Sequence, residues 1–84
     1  MPLKVVGVGA GYFAQYHYEA WQRMSAITLV GVCDQNSSRA RSTAERYAIP
    51  STYQDFKVML QKTKPDIVDI ITPPASHREL VDIA

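Results

Sequence analysis

Lys4-Val5-Val6-Gly7-Val8-Gly9-Ala10-Gly11-Tyr12-Phe13-Ala14 opens as a short apolar run, enters a cluster of glycines, and leaves with the periodicity of a helix. Each small residue has a physical reason. Gly9 lets the backbone turn sharply off a strand, and Gly11 keeps a side chain out of the way of an anion approaching the main chain. Ala14 is small enough for the helix to pack close to the strand. The amides that open the helix face outward, where the helix dipole favours negative charge. Gly9, Gly11 and Ala14 therefore match the G-x-G-x-x-G/A spacing of a dinucleotide-binding turn. In that reading Tyr12 and Phe13 offer backbone amides to a pyrophosphate, and Phe13 also packs inward.

Outward from this turn the chain alternates. Leu3 to Val8 is β-branched and almost continuously apolar, as expected of a strand covered on both faces in a parallel sheet. Residues Tyr12 to Met24 switch to helical spacing, with Phe13, His17, Ala20, Trp21 and Met24 on one side. Ile27 to Cys33 is a second strand, ending at Asp34, so the first thirty-odd residues form a βαβ unit with a right-handed crossover. Asn36 or Ser37 caps a helix from Ser38 to about Ala48, with Ala40, Ala44 and Tyr47 inward, and Ile49-Pro50 ends it. Ser51-Thr52-Tyr53 is a short third strand. Asp55 caps a brief helix carrying Phe56, Met59 and Leu60, which Lys64-Pro65 breaks. Asp66 to Thr72 is a fourth strand stopped by Pro73-Pro74. Ser76 and Glu79 then form a capping-box signature ahead of Leu80, Val81 and Ile83. The alternation predicts an α/β doubly wound parallel sheet, with the first four strands in order 3-2-1-4.

Composition narrows the function classes. The 84 residues are 46% hydrophobic and 20% charged with a formal net charge of +1, so no basic tract supports a nucleic-acid or acidic-membrane partner. Arg39, Arg41 and Arg46, with Glu45 among them, read first as a solvated helix face. The single cysteine, Cys33, excludes an intrachain disulfide and a thiolate metal cluster, and its apolar setting makes it a small buried hydrophobe. Lys4 and the run after it are too glycine-rich for a signal peptide, and no segment reaches the roughly 18 apolar residues of a membrane span. A cytoplasmic protein is expected.

Asp34 gives the turn its context. It stands at the end of the second strand, where an acidic residue accepts hydrogen bonds from the adenosine ribose hydroxyls. The competing reading is a strand-end cap, which loses ground once the glycine turn precedes it. A carboxylate here repels a 2′-phosphate, so NAD is favoured over NADP. Arg39 is placed either to lie over an adenine face or to neutralise such a phosphate. His17, on the apolar side of the first helix, reads as a packing histidine. Asp69 interrupts an apolar strand, and the sequence supplies no partner for it.

Together, Gly9-Ala10-Gly11-Tyr12-Phe13-Ala14 followed by His17, Val32-Cys33-Asp34 followed by Arg39, and Asp69-Ile70-Ile71-Thr72-Pro73-Pro74 followed by His77 resemble the glucose–fructose oxidoreductase, inositol dehydrogenase and rhizopine-catabolism family (Gfo/Idh/MocA). The resemblance covers the whole chain. It implies that Thr72, Pro73 and Pro74 border the nicotinamide half of the cofactor. His77 either donates to a ribose or lies near substrate, or is a structural histidine at a helix start. The resemblance also implies a fifth strand, a Glu-Lys-Pro motif whose lysine assists proton transfer, and a substrate domain. None of these is in residues 1–84, which are expected to be the N-terminal part of an NAD(P)-binding Rossmann domain with no catalytic base and no metal ligands of their own. Lys62 and Lys64 are not that lysine.

Two functions follow as expectations. The first is the nucleotide-binding part of an oxidoreductase that moves a hydride between nicotinamide and a sugar, inositol or related polyol, with the whole protein a homo-oligomer. The second is a dinucleotide-binding or sensing module without turnover. An isolated 1–84 polypeptide is expected to self-associate through the apolar edge left on the fourth strand.

Overall fold

The computed structural model describes residues 2–11 and 14–71. Its elements run β1 (Leu3–Val8), α1 (Ala14–Gln22), β2 (Ile27–Cys33), α2 (Ser37–Tyr47), β3 (Thr52–Tyr53), α3 (Phe56–Thr63) and β4 (Ile67–Ile70). The helix expected after Ser76 lies outside the described residues. All pairings are parallel and the strand order is β3-β2-β1-β4, the order the sequence pattern predicts.

Two apolar layers hold the helices to the sheet. Val5, Leu29 and Val32 pack with Ala14 and Tyr18 of α1 and with Ala44, Tyr47 and Ile49 of the α2 region. On the opposite face Val6, Val8 and Cys33 pack with Phe56 and Met59 of α3. Val5, Val6, Val32, Tyr18 and Met59 are completely excluded from solvent. Burying a side chain of this kind contributes about 1.5–3 kcal/mol each.

Capping follows the sequence closely for two helices. The Asn36 side chain accepts from Arg39 N–H at 3.1 Å and opens α2, which begins one residue earlier than expected. The Asp55 carboxylate accepts from Val58 N–H at 3.2 Å and opens α3. Both helices close on a non-glycine residue in the left-handed region, Ala48 and Lys64, each sending its N–H back to a carbonyl four residues earlier.

The first helix differs from its expected form. It ends at Gln22 rather than Met24, because Arg23 and Met24 donate to Ala20 and Trp21 in tightened i→i−3 turns. Its inward stripe is Ala14, Tyr18 and Trp21, while His17, Ala20 and Met24 are exposed. Tyr18 takes the inner position because its hydroxyl finds a buried acceptor, the Gly9 carbonyl, at 2.7 Å. That satisfied polar tip lets a large ring lie fully inside.

Strand register sets the site. Gly7 stands level with Val32 of β2 and Asp69 of β4, and Val8 with Cys33 and Ile70. The three strands thus exit together at Gly9, Asp34 and Ile71. Gly9 N–H donates to Cys33 C=O at 2.7 Å and Ile71 N–H donates to Val8 C=O at 2.7 Å, so the exits are tied laterally.

Candidate cofactor-binding site

Gly9 is the only described glycine with positive φ, at 111°. That value is strained for any residue with a Cβ. Gly9 also lies against β4, because a Cβ there would collide with the Ile71 carbonyl oxygen. Gly11 is different: a Cβ added to it would meet nothing within 4 Å. The first glycine is therefore required by the protein itself. The second leaves open the space over the backbone that an approaching anion would need.

Asp34 reaches across from the end of β2 to this turn. Its Oδ2 accepts from Ala10 N–H at 2.8 Å and its Oδ1 accepts from Asn36 N–H at 2.8 Å. The carboxylate therefore caps the loop before α2, as the competing reading held, and also anchors the glycine turn. Each oxygen keeps a further lone pair with which to accept.

Beside the turn an open cleft of about 480 Å³ runs between α1 and α2. Ala10, Gly11 and Gln15 form one wall, and Asn36, Ser38, Arg39, Ser42 and Arg46 form the other. Arg39 lines the cleft together with Asn36, two residues beyond Asp34. Arg46 crosses the far end, donating to Gln15 Oε1 at 3.3 Å and lying 3.8 Å from the Glu19 carboxylate. Ala14 is buried where α1 meets the sheet, as the spacing requires, and its N–H donates to Gly11 C=O at 3.0 Å. Of the other residues assigned from sequence, Tyr12, Phe13, Thr72, Pro73, Pro74 and His77 lie outside the described residues. Ile71, immediately before Thr72, reaches the turn at Gly9.

Two features escaped the sequence reading. The first is Tyr18. The hydroxyl end of its ring lies against Gly7, where any Cβ would overlap it, and its hydroxyl reaches the glycine turn. Burial pushes the Tyr18 phenol well above its usual range, with the Asp69 and Asp34 carboxylates adding to the effect, so it stays a donor. The available signal was Gly7 itself, since a glycine inside a strand marks a close approach. The second is the partner set of Asp69. Its Oδ2 accepts from Trp21 Nε1 at 2.8 Å and from His17 Nδ1 at 2.9 Å. His17 is therefore a half-exposed link between α1 and β4, and its expected place in the packed core is corrected. A polar residue inside an apolar strand, facing a helix with Trp and His one turn apart, was the signal.

Comparison with known proteins agrees with this geometry. The model of an oxidoreductase family with an NAD-binding Rossmann fold (Gfo/Idh/MocA) matches residues 3–84. A D-apiose dehydrogenase of Paraburkholderia graminis is 36% identical over 77 residues, covering 92% of this chain and 20% of the relative. A D-glucoside 3-dehydrogenase of Escherichia coli is 37% identical over 79 residues, covering 93% of this chain and 22% of the relative. A solved oxidoreductase from Agrobacterium radiobacter, in complex with NAD+, L-tartaric acid and magnesium, superposes over the whole chain. Its TM-score is 0.93 at 30% identity, and the match covers 25% of that structure. The chain spans about a fifth to a quarter of the length of these proteins. It belongs to the Gfo/Idh/MocA oxidoreductase family.

Proposed function

We propose that this member of the Gfo/Idh/MocA family is the cofactor-binding part of a dehydrogenase that uses NAD and acts on a sugar or polyol. The observation that carries the reading is the 2.8 Å bond from Ala10 N–H to Asp34 Oδ2. It ties the glycine turn to the carboxylate at the end of β2, which supports a dinucleotide reaching from one to the other. The open space over Gly11 fits a close approach of pyrophosphate to the backbone.

In this reading Gly9, Gly11 and Ala14, with the amides of Tyr12 and Phe13, hold the pyrophosphate, and Asp34 accepts from the adenosine ribose hydroxyls. Arg39 lies along the adenine side. Thr72, Pro73, Pro74 and His77 follow β4 toward the nicotinamide end. Bound nicotinamide supplies the hydride acceptor or donor, and the protein orients it. The substrate class is inferred from the D-apiose and D-glucoside dehydrogenases to which the chain is similar. No described helix is long and apolar enough to cross a membrane. The buried free thiol of Cys33 is in keeping with a reducing, cytoplasmic setting.

Calorimetric titration with NAD+ and NADP+ tests the binding claim, and an NAD+-reduction screen of aldoses, glycosides and inositols on the full-length protein tests the substrate class. NAD+ is expected to bind more tightly than NADP+. Binding of neither nucleotide overturns the cofactor reading, whereas NAD+ binding without turnover of any sugar or polyol overturns the enzymatic one.

A further inference from the structure

We infer that Tyr18 is a positioning residue for the phosphate-binding turn, fixing the orientation of the Gly9–Ala10 peptide. The inference rests on the cofactor reading above. The peptide is held at both poles. Its carbonyl, on Gly9, accepts from the Tyr18 hydroxyl at 2.7 Å, and its amide, on Ala10, donates to Asp34 at 2.8 Å.

The need for such a grip comes from Gly9. A glycine at φ 111° has no Cβ to bias the following peptide, so little in the local backbone prevents that plane from rotating. If it rotated, the carbonyl would leave the core and turn its negative end toward the rim where an anion binds. The amide would at the same time lose Asp34. Tyr18 opposes both changes by offering the carbonyl a buried, protein-side donor. The phenol is well suited to this, because its ring is wholly buried and it has no competing solvent. Gly7 shows how far the sequence accommodates the arrangement, since even a methyl group there would displace the ring. Asp34 can relax toward a bound ribose while Tyr18 keeps the peptide in place.

The test is Tyr18→Phe, which keeps the ring against Gly7 and removes only the hydroxyl. NAD+ affinity is read by calorimetry, and exchange of the Ala10 amide by NMR, with the β1 and β2 amides as internal reference. The phenylalanine variant should bind NAD+ about tenfold more weakly, the scale of one lost hydrogen bond. Ala10 exchange should rise by a similar factor against the strand amides. A tyrosine that only fills the core would lower the urea midpoint and leave both readouts unchanged, which would overturn the inference. The wild type supplies a check that needs no variant: an Ala10 amide exchanging as freely as an exposed loop amide would also overturn it. Failure of the wild type to bind NAD+ would instead strike the cofactor reading, with Ala10 protection still reporting on the clamp.

Discussion

The Ile71 carbonyl oxygen occupies the space that a side chain on Gly9 would need, so the exits of β4 and β1 meet backbone to backbone. This contact separates the two glycines of the turn by role. Gly9 serves the fold, through its positive φ and its closeness to Ile71. Gly11 faces open space, and its proposed role is to leave that space to the cofactor.

Substituting each glycine by alanine should therefore give opposite outcomes. Gly9→Ala combines a left-handed backbone with a collision against main chain, and should destabilise by about 2 kcal/mol or more. Gly11→Ala meets nothing and lies outside the left-handed region, so its stability should change by less than about 0.5 kcal/mol. Its NAD+ affinity should nonetheless fall at least tenfold, as the methyl enters the approach to the backbone. Urea denaturation and calorimetry on the two variants decide it. Equal stability losses would contradict the division of roles.

Asp34 answers to two demands, the turn and the proposed ribose. Asp34→Ala removes the acceptor of both Ala10 and Asn36 N–H, so it should lower thermal stability as well as NAD+ affinity. Asp34→Asn keeps one carbonyl oxygen and should stay closer to wild type in stability. It should still lose roughly 10- to 100-fold in NAD+ affinity, the scale of one charge-assisted hydrogen bond. Both variants should narrow the preference for NAD+ over NADP+, because the carboxylate that repels a 2′-phosphate is gone. Calorimetry with the two nucleotides measures this, and an unchanged preference would remove Asp34 from the specificity determinants.

What the sequence made legible and what it hid have different physical origins. The strand order and the Asn36 and Asp55 caps are local or follow from βαβ connectivity, so spacing and residue type reveal them. The inner face of α1 is not legible from spacing, because His17, Ala20, Trp21 and Met24 form as regular a stripe as Ala14, Tyr18 and Trp21. Only the Gly9 carbonyl and the bare surface of Gly7 select the second. His17 and Asp69 are 52 residues apart in the chain. Their contact depends on β4 crossing to the far side of β1, which a window of neighbouring residues does not contain.

The Asp69 cluster should stabilise the fold mainly through the indole. Trp21 is half-buried and its Nε1–H has a good acceptor, whereas the His17 side chain is 47% exposed, and ion pairs in such settings contribute little. Asp69→Ala should cost about 1–3 kcal/mol by leaving the indole donor unpaired. His17→Ala should cost less than about 1 kcal/mol. Trp21 is the sole tryptophan, so its fluorescence reports the unfolding of both variants directly. A larger loss for His17→Ala than for Asp69→Ala would shift the weight to the ion pair.

Alkaline pH should loosen the fold through Cys33. Burial, reinforced by the Asp34 and Asp55 carboxylates, pushes its thiol up from 9.0 to about 11. Below about pH 9 the thiol is protonated in folded and unfolded chains alike, and its contribution to stability is fully present. Between 9 and 11 the unfolded chain releases the proton while the folded chain retains it, so stability falls as pH rises through that window. Tyr18, raised mainly by burial, extends the same trend to higher pH. Thermal midpoints measured from pH 8 to 10.5 should therefore decline more steeply for wild type than for Cys33→Ala, whatever the offset between the two proteins at pH 8. Comparing slopes isolates the thiol from the lysines and other tyrosines, which the two proteins share. Parallel curves would mean that the thiol ionises as readily in the fold as outside it, and that the end of β2 beside Asp34 is open to water.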